Sequence, residues 1–150
     1  MSLRRARRVL MVCTGNICRS PTMEAVFRAR AAAAGLSIEF DSAGTESHHV
    51  GEAPDPRSRQ AALARGYDLS ALRARRVRVP EDFSDFDLIL AADTTHLAWL
   101  ERRCPEALRP RLRLLLDDAD LPDPYFGGPE GFTAVIDAVE AAAERWLRAG

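Results

Sequence analysis

Short unbroken apolar runs alternate along the chain with longer stretches whose apolar residues have helical spacing. The first run, residues 9–12 (Val-Leu-Met-Val), is too short for a helix and has no polar face, the pattern of a strand buried in a parallel sheet. Beyond residues 13–19, Ser20 and Pro21 read as an N-cap and a first helical residue. Glu24 stands where a carboxylate favours the helix dipole, and Gly35 ends this alanine-rich helix. Residues 37–43, with Ile38 and Phe40 alternating before small residues, predict a second strand. Gly44, Gly51, Pro54 and Pro56 mark 45–56 as a long surface loop, and 57–65 predicts a helix closed by Gly66. Leu88, Ile89 and Leu90 centre a buried strand over 86–92. Asp93 then caps a helix that reaches Cys104 and is stopped by Pro105. Residues 112–116 predict a fourth strand and 117–128 an acidic loop. In the last segment Phe132, Val135, Ile136, Val139, Ala143, Trp146 and Leu147 form one helical stripe.

Strands alternating with helices imply a doubly wound α/β sheet with right-handed crossovers. Such sheets bind ligands outside the carboxyl ends of their strands, where strand order reverses. The first strand ends at Cys13, so the segment that follows it is the expected site.

Composition narrows the classes. A chain of 150 residues, 47% apolar and 29% charged, fits one globular domain over residues 1–150, with no repeat or linker. The net charge of −1 argues against nucleic acid or an anionic membrane as partner. Arg4, Arg5, Arg7 and Arg8 have no interleaved aromatics and read as a solvated lead-in to the first strand. No apolar run approaches a membrane span, and residues 9–12 are too short for a signal-peptide core, so a cytoplasmic monomer is expected. Three cysteines do not make a disulfide scaffold and are expected as free thiols.

The segment Cys13-Thr14-Gly15-Asn16-Ile17-Cys18-Arg19-Ser20 runs from a strand into a helix N-terminus. Gly15 and Asn16 accept left-handed backbone, which turns successive N–H groups inward as an anion nest beside the positive end of the helix dipole. Arg19 offers a planar fork for two phosphoryl oxygens. The same positive field favours a Cys13 thiolate able to attack phosphorus, and Ser20 is placed to hydrogen-bond the sulfur. The departing ester oxygen needs a proton from a carboxylic acid. Asp117, Asp118, Asp120 and Asp123 are all candidates; only Asp123 precedes Pro124-Tyr125, which stiffens the loop and adds an aromatic wall. Their spacing is not that of a calcium-binding EF-hand.

Residues 12–21, V-C-T-G-N-I-C-R-S-P, resemble the signature of the low-molecular-weight protein tyrosine phosphatases. The likeness continues, in order, through Asp41-Ser42-Ala43-Gly44-Thr45, Pro54-Asp55-Pro56-Arg57, residues 87–90 with Asp93, and Asp123-Pro124-Tyr125. The resemblance implies a three-layer α/β sandwich: a four-stranded parallel sheet flanked by helices, with the phosphate-binding loop after the first strand. It implies no metal and no cofactor, phosphotyrosine-containing proteins as substrates, and inorganic phosphate or other oxyanions as loop ligands. In the two-step phosphocysteine reaction it implies, Cys13 is the nucleophile, Arg19 the phosphate clamp and Asp123 the general acid and base. Thr14, Gly15, Asn16, Ile17, Cys18 and Ser20 surround the phosphoryl group, His48, Tyr125 and Phe126 wall the pocket, and Ser42 supports the loop.

Relative to that pattern, Ile17 stands where the family's protein-arginine phosphatases carry Thr, and so points to an aromatic phosphoester. His48 replaces a Trp or other aromatic, Leu72 replaces a histidine that braces the loop, and Phe126 lacks a hydroxyl often found there. Cys18 resembles the family's second loop cysteine, which would capture oxidised Cys13 as a disulfide; packing is the competing reading. His49 and His96 read as surface or satisfied histidines and Cys104 as packing. Thiol-coupled arsenate reductase shares this fold and loop, but needs two further cysteines where the chain has Cys104 alone. A non-enzymatic phosphate-binding module is disfavoured because Cys13, Arg19 and Asp123 are all present.

Overall fold

Strand β1 (Arg8–Cys13) is buried from Val9 onward, and its extended backbone sends successive side chains to opposite faces of the sheet. Val9, Met11 and Cys13 join one core cluster, Leu10 and Val12 another. On the first face, helices α1 (Arg19–Ala33) and α5 (Pro129–Arg148) pack Met23, Val26 and Phe27 against Val135, Ile136 and Val139, and α2 (Pro56–Leu63) adds Ala62. The second face is covered by α3 (Glu81–Asp85) and α4 (Thr94–Arg103), which contribute Phe83 and Leu100. The computed structural model describes residues 2–148; Met1, Ala149 and Gly150, the ends of the domain expected over 1–150, lie outside the described residues.

Strands β2 (Glu39–Gly44), β3 (Leu88–Ala91) and β4 (Leu112–Leu114) complete a four-stranded parallel sheet in the order β2-β1-β3-β4. Cys13 pairs with Gly44 and Val12 with Ala91. The chain leaves β1 to one side for β2 and crosses back to the other for β3. A crevice therefore opens at the carboxyl end of β1, as the alternation of elements predicted. The α5 stripe faces inward as expected, with the Trp146 indole donating to the Leu115 carbonyl at 3.0 Å.

Several boundaries differ for identifiable reasons. Helix α1 starts at Arg19, so Ser20 is not its N-cap; Cys18 holds that position without a side-chain cap bond. The Ser20 hydroxyl is committed elsewhere, to Cys13 Sγ at 3.1 Å and Asn16 Nδ2 at 2.7 Å. Glu24 consequently lies beyond the first turn, where it is buried, accepts the Ser42 hydroxyl at 2.6 Å and pairs with Arg28. Helix α2 starts at Pro56 under an Asp55 cap whose carboxylate accepts the Arg57 N–H at 2.8 Å. Strand β4 stops at Leu114, two residues before the predicted end at 116. Helix α3, five residues long, is too short to carry a periodic signal and was not anticipated.

Phe27 is 1% exposed and lies 6.3 Å, ring to ring, from Phe40. Phe27→Ala is expected to cost about 3–5 kcal/mol, read as a lower urea midpoint with an unchanged slope.

Candidate active site

Cys13 ends β1 on the floor of a cleft of about 180 Å³, and residues 14–18 curl from it into α1. Asn16 takes the left-handed conformation (φ 59°) expected of it. Gly15 does not have a positive φ; it is needed for close approach instead, since a Cβ there would stand 2.9 Å from His49 Cδ2. Gly44 serves the same end from below, because a Cβ on it would come within 2.6 Å of the Thr14 carbonyl oxygen. The loop thus rests directly on β2.

Beneath the loop a chain of hydrogen bonds leaves little freedom. The Asn16 side chain donates to Ser20 Oγ at 2.7 Å and to Ser42 Oγ at 2.9 Å, and its oxygen accepts the Arg75 backbone N–H at 3.0 Å. Because the Ser20 oxygen accepts from Asn16, its own hydrogen is left for Cys13 Sγ, 3.1 Å away. Ser42 passes its hydrogen to buried Glu24. Asn16 and Ser20 therefore place their side chains under the loop, as braces, and Ser42 links Asn16 to Glu24.

Arg75 carries no motif and went unread in the sequence, where a backbone donor leaves no signal. Its guanidinium is anchored by Asp41 at 3.0 Å and Asp82 at 2.9 Å. Leu72 packs, partly buried, against the core.

Arg19 is 4% exposed, which demands full pairing of its charge. Its Nη1 donates to Asp93 Oδ2 and to the Leu121 carbonyl, each at 2.9 Å, and its Nη2 is 3.7 Å from Asp123 Oδ2. Burial works against the Asp93 carboxylate, yet the His96 amide, the His96 ring and Arg19 together hold it below the usual carboxylate range.

The acidic residues separate by partner. Asp120 binds the Thr94 N–H at 2.8 Å and so pins the loop to the start of α4. Asp117 is 3.6 Å from Arg113. Among the four acidic candidates only Asp123 lines the cleft, with its side chain 46% exposed and accepting the Tyr125 N–H at 3.1 Å.

Thr14, Gly15, Ile17, Cys18, His48, Tyr125 and Phe126 also line the cleft, together with Glu46 and His49, which the sequence reading had not placed there. Tyr125 and Phe126 meet edge to face, centroids 4.9 Å apart, and Arg57 lies 5.4 Å from the Tyr125 ring centre. Phe126 is 92% exposed at the rim. Burial pushes the Cys18 thiol up to about 12 despite a hydrogen bond with Ser58. His96, expected to be an ordinary surface or satisfied histidine, is buried at the site: Nε2 is 2.7 Å from Thr14 Oγ1 and Nδ1 is 3.0 Å from Asp93 Oδ1. Burial pushes this ring down to about 4, so it is neutral at pH 7. Its place three residues after a capping Asp was the available signal.

Among the described residues, no group of three or more His, Cys, Asp or Glu side chains is gathered as a metal site, and no helix is long and apolar enough to cross a membrane.

Residues 8–149 match the family model for low molecular weight phosphotyrosine protein phosphatase. The low molecular weight protein-tyrosine-phosphatase of Streptomyces coelicolor is 46% identical over 153 residues, covering 95% of this chain and 92% of that protein. The human low molecular weight phosphotyrosine protein phosphatase is 35% identical, covering 90% of each chain. Among solved structures, a protein tyrosine phosphatase from Entamoeba histolytica with Hepes in the active site superposes with a TM-score of 0.89 at 39% identity, over 92% of each chain. Vibrio vulnificus Wzb in complex with benzylphosphonate gives 0.86 at 28% identity, over 95% of this chain and 98% of that one. The chain belongs to the low molecular weight phosphotyrosine protein phosphatases, a family of hydrolases.

Proposed function

We propose that this chain hydrolyses phosphotyrosine in proteins through a phosphocysteine at Cys13, with Arg19 as phosphate clamp and Asp123 as general acid and base. The observation that carries the reading is the convergence of the Cys13 sulfur, the Arg19 guanidinium and the Asp123 carboxyl on one cleft. The Cys13 thiolate attacks phosphorus in line; an S–P bond forms as the P–O bond to the phenol breaks, and Asp123 gives its proton to the departing oxygen. Water then attacks the phosphocysteine, Asp123 takes back a proton, the S–P bond breaks, and inorganic phosphate leaves with the thiolate restored. Throughout, Arg19 and the loop N–H groups hold the equatorial oxygens where charge accumulates. The hydrogen bond from Ser20 stabilises the sulfur as leaving group in the second step.

Ile17, His48, Tyr125 and Phe126 form a largely apolar wall suited to a phenyl ring, which supports phosphotyrosine over phosphoarginine. Inorganic phosphate and other oxyanions fit the same cradle. The three cysteines are free thiols. Arsenate reduction would need a thiol relay from Cys13. Cys104 belongs to the core cluster on the opposite face of the sheet, so it is not available for one.

Turnover of para-nitrophenyl phosphate with burst kinetics and inhibition by vanadate is expected, and Cys13→Ser should fall to background. Asp123→Asn should slow hydrolysis of phenyl phosphate by about 10²–10⁴-fold and of para-nitrophenyl phosphate far less, because an activated phenol needs no proton. Equal slowing of both esters would remove Asp123 from the acid role. Phosphotyrosine, phosphoserine and phosphoarginine peptides assayed side by side test the substrate class, with the first expected to dominate. Because Cys18 stays protonated far above neutrality, iodoacetate at pH 7 should carboxymethylate Cys13 and spare Cys18 until the protein is denatured, as read by peptide mass spectrometry.

A further inference from the structure

The mechanism above uses Arg19, which is paired with Asp93, but leaves unexplained why a histidine is buried against them. An apolar side chain would fill the same space without desolvating two ring nitrogens. His96 lies in the first turn of α4, 2% exposed, and its ring spans the gap between Asp93 and Thr14. Nδ1 is 3.0 Å from Asp93 Oδ1, out of line for a hydrogen bond, while Nε2 is 2.7 Å from Thr14 Oγ1. Although Nδ1 is not aimed at it, a carboxylate this close favours the tautomer with the ring proton on the nearer nitrogen, Nδ1. Nε2 then presents its lone pair to Thr14, whose hydroxyl donates.

Thr14 is the residue directly after the nucleophile, and its side chain is on the cleft wall. We propose that His96 is a positioning residue that ties Thr14 to the carboxylate aligning Arg19, so that the loop beside Cys13 and the phosphate clamp are set by one group, Asp93. Asp93 Oδ2 receives the Arg19 guanidinium and Oδ1 receives the His96 backbone N–H at 3.1 Å, so both oxygens are used. The groups facing the ring are Asp93, Arg19, Asp123 and Asp120. A neutral imidazole among them leaves the Asp93 charge to Arg19. Opposite, Asn16 holds the other side of the loop through Ser20, Ser42 and Arg75, so the cradle is fastened at two points.

The inference rests on the phosphatase reading given above, and its test separates the two. Thr14→Val, His96→Leu, the double variant and His96→Gln are compared by kcat and KM for para-nitrophenyl phosphate and by the iodoacetate alkylation rate of Cys13. Each of the first two variants is expected to lower kcat/KM by about 3–10-fold, the range for losing one hydrogen bond between neutral groups. Each should also change the alkylation rate in the same direction. The double variant should be no worse than the poorer single variant, the signature of one shared interaction, and His96→Gln should recover activity to within about twofold of the parent. Multiplicative losses in the double variant, or single variants that leave both readouts unmoved, overturn the proposal. Should His96→Leu not fold, Thr14→Val alone still decides, since Thr14 is an exposed residue at the cleft. An inactive parent protein would instead count against the phosphatase reading, while alkylation still reports on the loop without turnover.

Discussion

The side-chain amide of Asn16 is the point on which the site turns. Its left-handed backbone makes the loop reverse toward α1, and its two N–H bonds determine what Ser20 and Ser42 do with their own hydrogens. A buried amide with every bond made is rigid, because breaking any one leaves a desolvated polar group at a cost of about 1–3 kcal/mol. The sulfur of Cys13 receives a directed hydrogen as the last member of this chain. The hydrogen that reaches this sulfur is thus directed by an amide that does not line the cleft.

Arg19 poses the opposite problem, a permanent charge with almost no access to water. Asp93 and the Leu121 carbonyl accept from one nitrogen, leaving the other toward Asp123 and the cleft. The pairing that makes burial tolerable also aims the fork, so stability and function are served by the same contacts. Asp93 in turn caps α4, and Asp120 fastens the acidic loop to the same helix start. The carboxyl end of β3 and the acidic loop are thereby gathered around one short helical turn.

Much of this was legible in the residues. The alternation of apolar runs and helical stripes was enough for the sheet, because strands buried on both faces are unbroken and α5 is strongly one-sided. The loop was legible because Cys13, Gly15, Asn16 and Arg19 each have a chemical reason to be there. Ser20 was read both as a helix cap and as a partner of the sulfur, and the tertiary structure keeps only the second role. Gly15 was read for its backbone freedom when its lack of a side chain is what matters beneath His49. Arg75 was invisible because it acts through its backbone, and His96 was passed over although its place three residues after a capping Asp was a signal.

The close approach at Gly44 has a mechanical consequence. With no side chain between the second strand and the Thr14 carbonyl, there is no compressible layer to absorb a displacement of the sheet. The anion cradle is therefore as stiff as the strand pairing beneath it, while His48 and Phe126 stand on the rim outside that rigid body. Such a division lets a substitution at His48 or Phe126 change the shape of the rim without moving the loop beneath it.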